Sequence, residues 1–467
     1  IIGEKKLKGH IGIGHTRWAT HGVPSEKNAH PHITEHVAIV HNGIIENFKS
    51  LKEVLSKKGH IFKSQTDSEV IAHLLTDFLK SGLSPEKAIK MTLPKLEGAF
   101  AIAVLFKDYD LLVGARRGSP LAIGINNDNL YIGSDSIALA PFTQKVCFLE
   151  EGDSVFIKEK TFKIFDADHQ KVKRKISLTS YTGAGVGKGN FSHFMQKEIY
   201  EQPSVIGDSL SRFIDPLNKK IDIPNLEIDW SKIKRINLVA CGTSYYACLT
   251  ATYWIQKYAK IFCSAELASE YRYKEIIKGN EQIVIFISQS GETADTLAAL
   301  RYAKSNKVKV MSLVNVDESS IARESDCFIP IAAGPEIGVA STKALTAQLS
   351  ILACLTIIIG RKIGIIEKKL EKNLTTSLIE LPSKMTEILD SSDKIKRITT
   401  DIINAKSTLF LGRGSCFPIA MEGALKLKEI SYIHAEGYAS GEMKHGPIAL
   451  VDEEMPVFII APNNELF

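Results

Sequence analysis

A chain of 467 residues is too long for one ordinary core, so two to four domains are expected. Its 44% hydrophobic and 24% charged residues are those of a soluble globular protein, and the net charge of +5 is too small to argue for nucleic acid. The one basic block, residues 171–175, reads as a solvated strand or loop edge.

The longest apolar run, residues 349–360, is shorter than the ~20 residues needed to span a bilayer, so no membrane is expected either. No secretory signal opens the chain, which begins at Ile1. Seven cysteines without a CxxC pair point to reduced thiols in the cytoplasm and away from a zinc or other metal site.

In chain order, the first third shows short apolar runs at 37–40, 99–106, 111–114, 120–124 and 130–133, broken by turn residues such as Asn42-Gly43. This spacing predicts stacked antiparallel sheets, with helices over 46–58 and 68–80. The Gly-rich stretch 182–190 reads as a linker.

Beyond it the rhythm changes to strand, small-residue loop, helix. Residues 235–240 run into Cys241-Gly-Thr-Ser244, and 282–287 into Ser288-Gln-Ser-Gly-Glu-Thr293 before a helix over 294–304. This is the βαβ pattern of a doubly wound parallel sheet. Residues 408–411 then run into Gly412-Arg-Gly-Ser415, and 454–465 align with 281–292, so the module is duplicated. The second copy stops one strand into its second βα unit, and the chain is expected to be a piece of a longer protein.

Several stretches carry chemistry. Ser288-Gln-Ser-Gly-Glu-Thr293 follows a strand and opens a helix, where backbone N–H groups and hydroxyls make an anion site; a capped helix with a polar loop is the plainer alternative. Cys241-Gly-Thr-Ser244 and Val339-Ala-Ser-Thr-Lys343 are two more hydroxyl-bearing loops, and loops at the carboxyl ends of neighbouring parallel strands converge on one crevice. Such a set suits a phosphorylated polyol. Glu422, Lys426 and Glu429 share one helix face, as either a salt-bridge stripe or a general base with its partner.

His445, in Gly441-Glu-Met-Lys-His-Gly-Pro447, reaches for a ligand or is structural. In the first third, Asn42-Gly43 is a hairpin turn or an oxyanion hole, and Asp67 a helix cap or a partner for an ammonium group. Arg17 and Asp67 together offer opposite charges for an amino acid.

With His15-Thr-Arg-Trp-Ala-Thr-His-Gly22, Ser288–Thr293, Glu336–Lys343 and Glu422–Pro447 in one chain, the sequence resembles the isomerising glutamine–fructose-6-phosphate aminotransferases, the glucosamine-6-phosphate synthases. The resemblance implies an α/β multidomain protein. An amino-terminal αββα Ntn-hydrolase-type glutamine amidotransferase domain occupies 1–180, with its start missing. A linker over 181–225 leads to a doubly wound parallel-sheet SIS (sugar isomerase) domain over 226–365. Connecting helices over 366–396 precede a second, incomplete SIS domain over 397–467.

The implied reaction converts D-fructose 6-phosphate and L-glutamine to D-glucosamine 6-phosphate and L-glutamate, the first step of hexosamine (UDP-N-acetylglucosamine) synthesis. Ammonia is channelled between the sites, no cofactor is used, and the enzyme is a cytoplasmic homodimer.

By resemblance, Arg17, Thr20, His21 and Asp67 bind glutamine, Asn42 and Gly43 form the oxyanion hole, and Trp18 gates the channel. Thr243, Ser244, Ser288, Gln289, Ser290 and Thr293 hold the sugar phosphate, walled by Val339, Ala340 and Ser341. Glu429 is the isomerisation base, Lys426 its partner, and His445 opens the sugar ring from across the dimer.

Two departures stand out. The family's nucleophile is an amino-terminal Cys, whereas residue 1 is Ile and the first cysteine is Cys147. The family's Schiff-base Lys lies near a carboxyl terminus beyond Phe467. Residues 1–467 alone are therefore expected to be inactive. Two rivals are an amidotransferase acting on phosphoribosyl pyrophosphate or aspartate, which the duplicated hydroxyl-rich modules oppose, and a sugar-phosphate sensor, which would carry a basic recognition helix.

Overall fold

The computed structural model describes residues 9–16, 21–23, 25–179, 187–224, 226–277, 279 and 281–463. The chain divides into two units, Ile1–Gly187 and Lys188–Phe467, and the division falls inside the Gly-rich stretch.

In the first unit a seven-stranded antiparallel sheet runs, in spatial order, His32–Ile33, Val37–Gly43, Phe100–Phe106, Leu112–Arg117, Ser154–Lys158, Thr161–Phe165, Lys171–Val172. Successive side chains on a strand point to opposite faces. Val37, Ile39, Phe100, Ile102, Val104 and Phe106 therefore pack with Leu55, Val70, Ile71 and Leu75 of the helices Phe48–Lys57 and Glu69–Lys80. The alternate residues Val40, Ala101 and Ala103 meet Ile123, Cys147 and Leu149 of a second sheet. That sheet has the order Ile176–Leu178, Lys145–Phe148, Ala122–Ile125, Leu130–Gly133. Its far face is covered, among the described residues, by the short helix Ser136–Leu139 through Leu139. The layers are thus helix, sheet, sheet, helix, with a thin fourth layer.

In the second unit the first module is a five-stranded parallel sheet in the order Phe262–Leu267, Arg235–Ala240, Gln282–Ser288, Lys309–Val314, Cys327–Pro330. A parallel sheet covered on both faces needs apolar residues at every position of its strands. Ile283, Ile285 and Ile287 face one core, and Val284 and Phe286 face the other. The second module repeats the start of this plan as His434–Ala439, Ser407–Gly412, Val457–Ile460, again parallel with the chain's second strand outside the first. The duplication read from the sequence is therefore a duplication of topology. Helices Lys368–Leu389 and Ser392–Ile402 join the modules.

Helix Lys343–Lys362 is the one described helix long and apolar enough to cross a membrane, yet it is mostly buried in the first module's core. The range 181–225 is not linker throughout. Residues Phe194–Ser211 form a helix and Ile214–Asp215 pairs with Lys220–Ile221, and Ile206, Leu210, Phe213 and Ile221 enter that same core. The helix escapes a periodicity reading because its interior holds Pro203 and its buried residues include the polar Glu198 and Ser209.

Candidate functional site

In the first unit, a cavity of about 230 Å³ is lined by His15, His21, His30, His41, Asn42, Gly43, Ile44, Thr66, Asp67 and Ser68. Strand Val37–Gly43 delivers Asn42 and Gly43 to it, and Gly43 pairs with Phe100 rather than turning the chain, so no hairpin forms at Asn42-Gly43. Gly43 has φ +138°, and a Cβ there would lie 2.1 Å from the carbonyl oxygen of Ala99. Only glycine fits this backbone.

Asp67 is 3% exposed. It does not cap the helix that follows; its Oδ2 accepts the Ile45 N–H at 2.7 Å, while Oδ1 lies 3.9 Å from Nδ1 of His21. Ser68 donates to Oδ1 of Asp67 at 3.4 Å and is 2.9 Å from Nδ1 of His41. Burial holds the His41 imidazole down at about 4, so it is neutral near pH 7 and can donate to Ser68 through Nδ1. The arrangement places a fixed carboxylate and a glycine backbone on one small polar cavity. Arg17, Trp18 and Thr20 lie outside the described residues. Cys147 is fully buried and its thiol is pushed up to about 11, which unsuits it as a nucleophile.

In the second unit, the spatial order of the first module reverses between Arg235–Ala240 and Gln282–Ser288, the switch point where ligands bind parallel sheets. The loops that leave these two strands are Cys241–Ser244 and Ser288–Thr293. The Ser288 hydroxyl accepts the Gly291 N–H at 3.0 Å and lies 2.9 Å from the Thr293 hydroxyl, while Ser290 accepts the Glu292 N–H at 3.1 Å. These bonds fold the loop into a turn whose remaining N–H groups begin helix Ala294–Ser305. Ser244 accepts from Nε2 of Gln348 at 2.9 Å. Gln289 and Ser341 are half-buried, Ala340 is buried, and Val339 is 76% exposed, so the proposed wall presents one residue inward and one to solvent.

Helix Cys416–Ser431 of the second module packs against helix Gly242–Tyr258 of the first. Thr243 donates to Oε1 of Glu422 at 3.1 Å and Lys426 Nζ donates to Thr243 at 3.1 Å; Lys426 also lies 3.5 Å from Glu422 and 2.5 Å from Glu429. Glu422 is 4% exposed, and burial pushes its carboxyl up to about 7 despite Lys426, with its Oε2 making no hydrogen bond to a described residue. The sequence placed Glu422 on the right face but did not single it out, because its burial depends on a helix contact made across the duplication. An adjoining cavity of about 400 Å³ is lined by Ser341, Thr342, Phe410, Glu422 and Lys426 and also by Gln202. His445 is exposed in the short helix Ser440–His445 and makes no hydrogen bond to a described residue.

Comparison with known proteins accounts for both halves. A glutamine amidotransferase domain family matches residues 15–141, and a SIS domain family matches 230–358 and 401–467. The isomerising glutamine–fructose-6-phosphate aminotransferase of Zymomonas mobilis is 51% identical over 468 aligned positions, covering 100% of this chain and 77% of that protein. The chain belongs to the isomerising glutamine–fructose-6-phosphate aminotransferase family.

The Mesorhizobium japonicum member of this aminotransferase family is 52% identical, with 99% of this chain and 77% of that protein covered. Among solved structures, the carboxy-terminal domain of the glucosamine-fructose-6-phosphate aminotransferase from Francisella tularensis matches 60% of this chain and 79% of its own length. The TM-score is 0.58, at 45% identity.

Proposed function

We propose that the two sites carry out the family's reaction as a pair, with a phosphate-binding crevice and a proton-transfer cluster side by side in the second unit. The enzyme converts D-fructose 6-phosphate and L-glutamine to D-glucosamine 6-phosphate and L-glutamate. The observation that carries the sugar half is Thr243. It sits at the switch point of the first module and hydrogen-bonds both Glu422 and Lys426 of the second.

In this reading Arg17, Thr20, His21 and Asp67 hold the amino-acid end of glutamine, and Asn42 and Gly43 face the oxyanion formed at its side-chain amide. Trp18 gates the passage of ammonia inside the protein. Thr243, Ser244, Ser288, Gln289, Ser290 and Thr293 hold the sugar phosphate against a wall of Val339, Ala340 and Ser341. Glu429 moves the proton between the first two sugar carbons, and its close contact with Lys426 orients the carboxylate for that task. The buried Glu422 holds Lys426 from the other side. The reading takes the domains to be 1–180, 226–365 and 397–467. It further takes the enzyme to be a cytoplasmic homodimer without nucleic-acid or membrane partners, each chain lending His445 to its partner's sugar site.

The phosphate site is tested with Ser288→Ala and Thr293→Ala in the intact enzyme. Each removes a hydroxyl from the turn, and a hydrogen bond serving a charged group contributes roughly 1.5–3 kcal/mol. Calorimetric affinity for fructose 6-phosphate is expected to fall about 10- to 100-fold, with binding of unphosphorylated fructose unchanged. Equal losses for both sugars would refute the assignment.

A further inference from the structure

Helix Phe194–Ser211 lies outside both copies of the duplicated module, yet it holds one loop of the sugar crevice at two points. Glu198 is 2% exposed. Its Oε1 accepts the N–H of Ile337 at 2.6 Å and of Gly338 at 3.0 Å, and its Oε2 lies 3.1 Å from the same Gly338 nitrogen. Three residues along the helix, Glu201 accepts from Lys343 Nζ at 2.7 Å, and Lys343 is itself 4% exposed. Between these two grips lie Val339, Ala340 and Ser341. The loop also closes on itself, because Oε1 of Glu336 accepts the N–H groups of Thr342 at 2.8 Å and Ala344 at 3.1 Å.

The fit is close. A Cβ on Gly338 would stand 2.4 Å from Oε2 of Glu198. It is also costly, because burial raises the Glu198 carboxyl above its ordinary range, which the two N–H groups only partly offset. A carboxylate taken out of water costs several kcal/mol, and an apolar side chain would pack the helix without that cost. The charge therefore has a task that packing does not supply. Gln202 of the same helix lines the cavity that contains Ser341, Glu422 and Lys426, so the clamp lies next to the chemistry.

We propose that Glu198 is a positioning residue of the sugar site: by taking the N–H groups of Ile337 and Gly338 it fixes residues 339–341 where they close on the bound sugar phosphate, with Glu201–Lys343 as the second grip. Glu198 itself does not touch substrate. The proposal rests on the assignment of the crevice to fructose 6-phosphate.

The test uses the intact enzyme with Glu198→Gln, Gly338→Ala and the double variant, and Ser288→Ala as reference. Glutamine turns one acceptor into a donor facing an N–H, and the alanine methyl pushes the loop away without altering charge. Each single variant is expected to raise the KM for fructose 6-phosphate about 10- to 100-fold. The kcat and the glutamine KM should stay within about threefold, a split that general loss of structure would not give. The double variant should be no worse than the worse single one, because both break the same contact. Additive losses overturn the clamp. So does an unchanged KM in both single variants while Ser288→Ala raises it, which leaves the crevice assignment standing. If Ser288→Ala is also without effect, the crevice assignment falls first. Should Glu198→Gln fail to fold, Gly338→Ala alone still decides.

Discussion

Gly43→Ala in the intact enzyme is expected to lower glutamine hydrolysis by about 10²–10³, the usual cost of losing an oxyanion donor. The physical cause is steric. The added Cβ would lie 2.1 Å from the Ala99 carbonyl oxygen, on a residue whose φ of +138° already disfavours a side chain. The strand end must shift, and with it the Gly43 N–H and the neighbouring Asn42 side chain. Because Gly43 is paired with Phe100 at the last rung of the sheet, the shift should stay local. Fructose 6-phosphate affinity, measured on the same preparation, should not change. Hydrolysis retained within about threefold would remove Asn42 and Gly43 from the chemistry.

Glu422→Gln should change how the stability of the second unit depends on pH. The Glu422 carboxyl is raised from an ordinary 4.5 to about 7, chiefly by burial. The folded protein therefore holds a proton that the unfolded chain has released between those two values. Stability from this group is fully present below about pH 4.5 and is lost as the pH rises through 7, by about 3 kcal/mol in all. Glutamine does not titrate. Denaturant melts at pH 5 and pH 8 should show the wild type losing about 2–3 kcal/mol relative to the variant over that interval. Parallel pH profiles would show that Glu422 titrates as an ordinary carboxyl.

Local pattern made much of this molecule legible. The unbroken apolar run over 99–106 located the strand Phe100–Phe106, because a strand buried between two layers uses both of its faces. The shared strand–loop–helix signature at Cys241 and Gly412 exposed the duplication, and the two sheets share one strand order. What stayed hidden depends on distance along the chain. Glu198 meets Ile337 across 139 residues and Thr243 meets Glu422 across 179, and no periodicity reports such contacts. Asp67 looked like a helix cap because it precedes a helix, but its carboxylate is used by Ile45. Only the folded chain distinguishes these uses of one residue type.

The repeated strand order bears on how the two copies can vary. Loops with hydroxyls leave the strands of the first copy, while the leading helix of the second carries Glu422, Lys426 and Glu429. Under the roles proposed for them, phosphate binding and proton transfer are carried by separate stretches of the chain. On that proposal a substitution in the first copy can change which sugar is held without disturbing how it is rearranged, and Thr243, bonded to both Glu422 and Lys426, is where the two copies are tied.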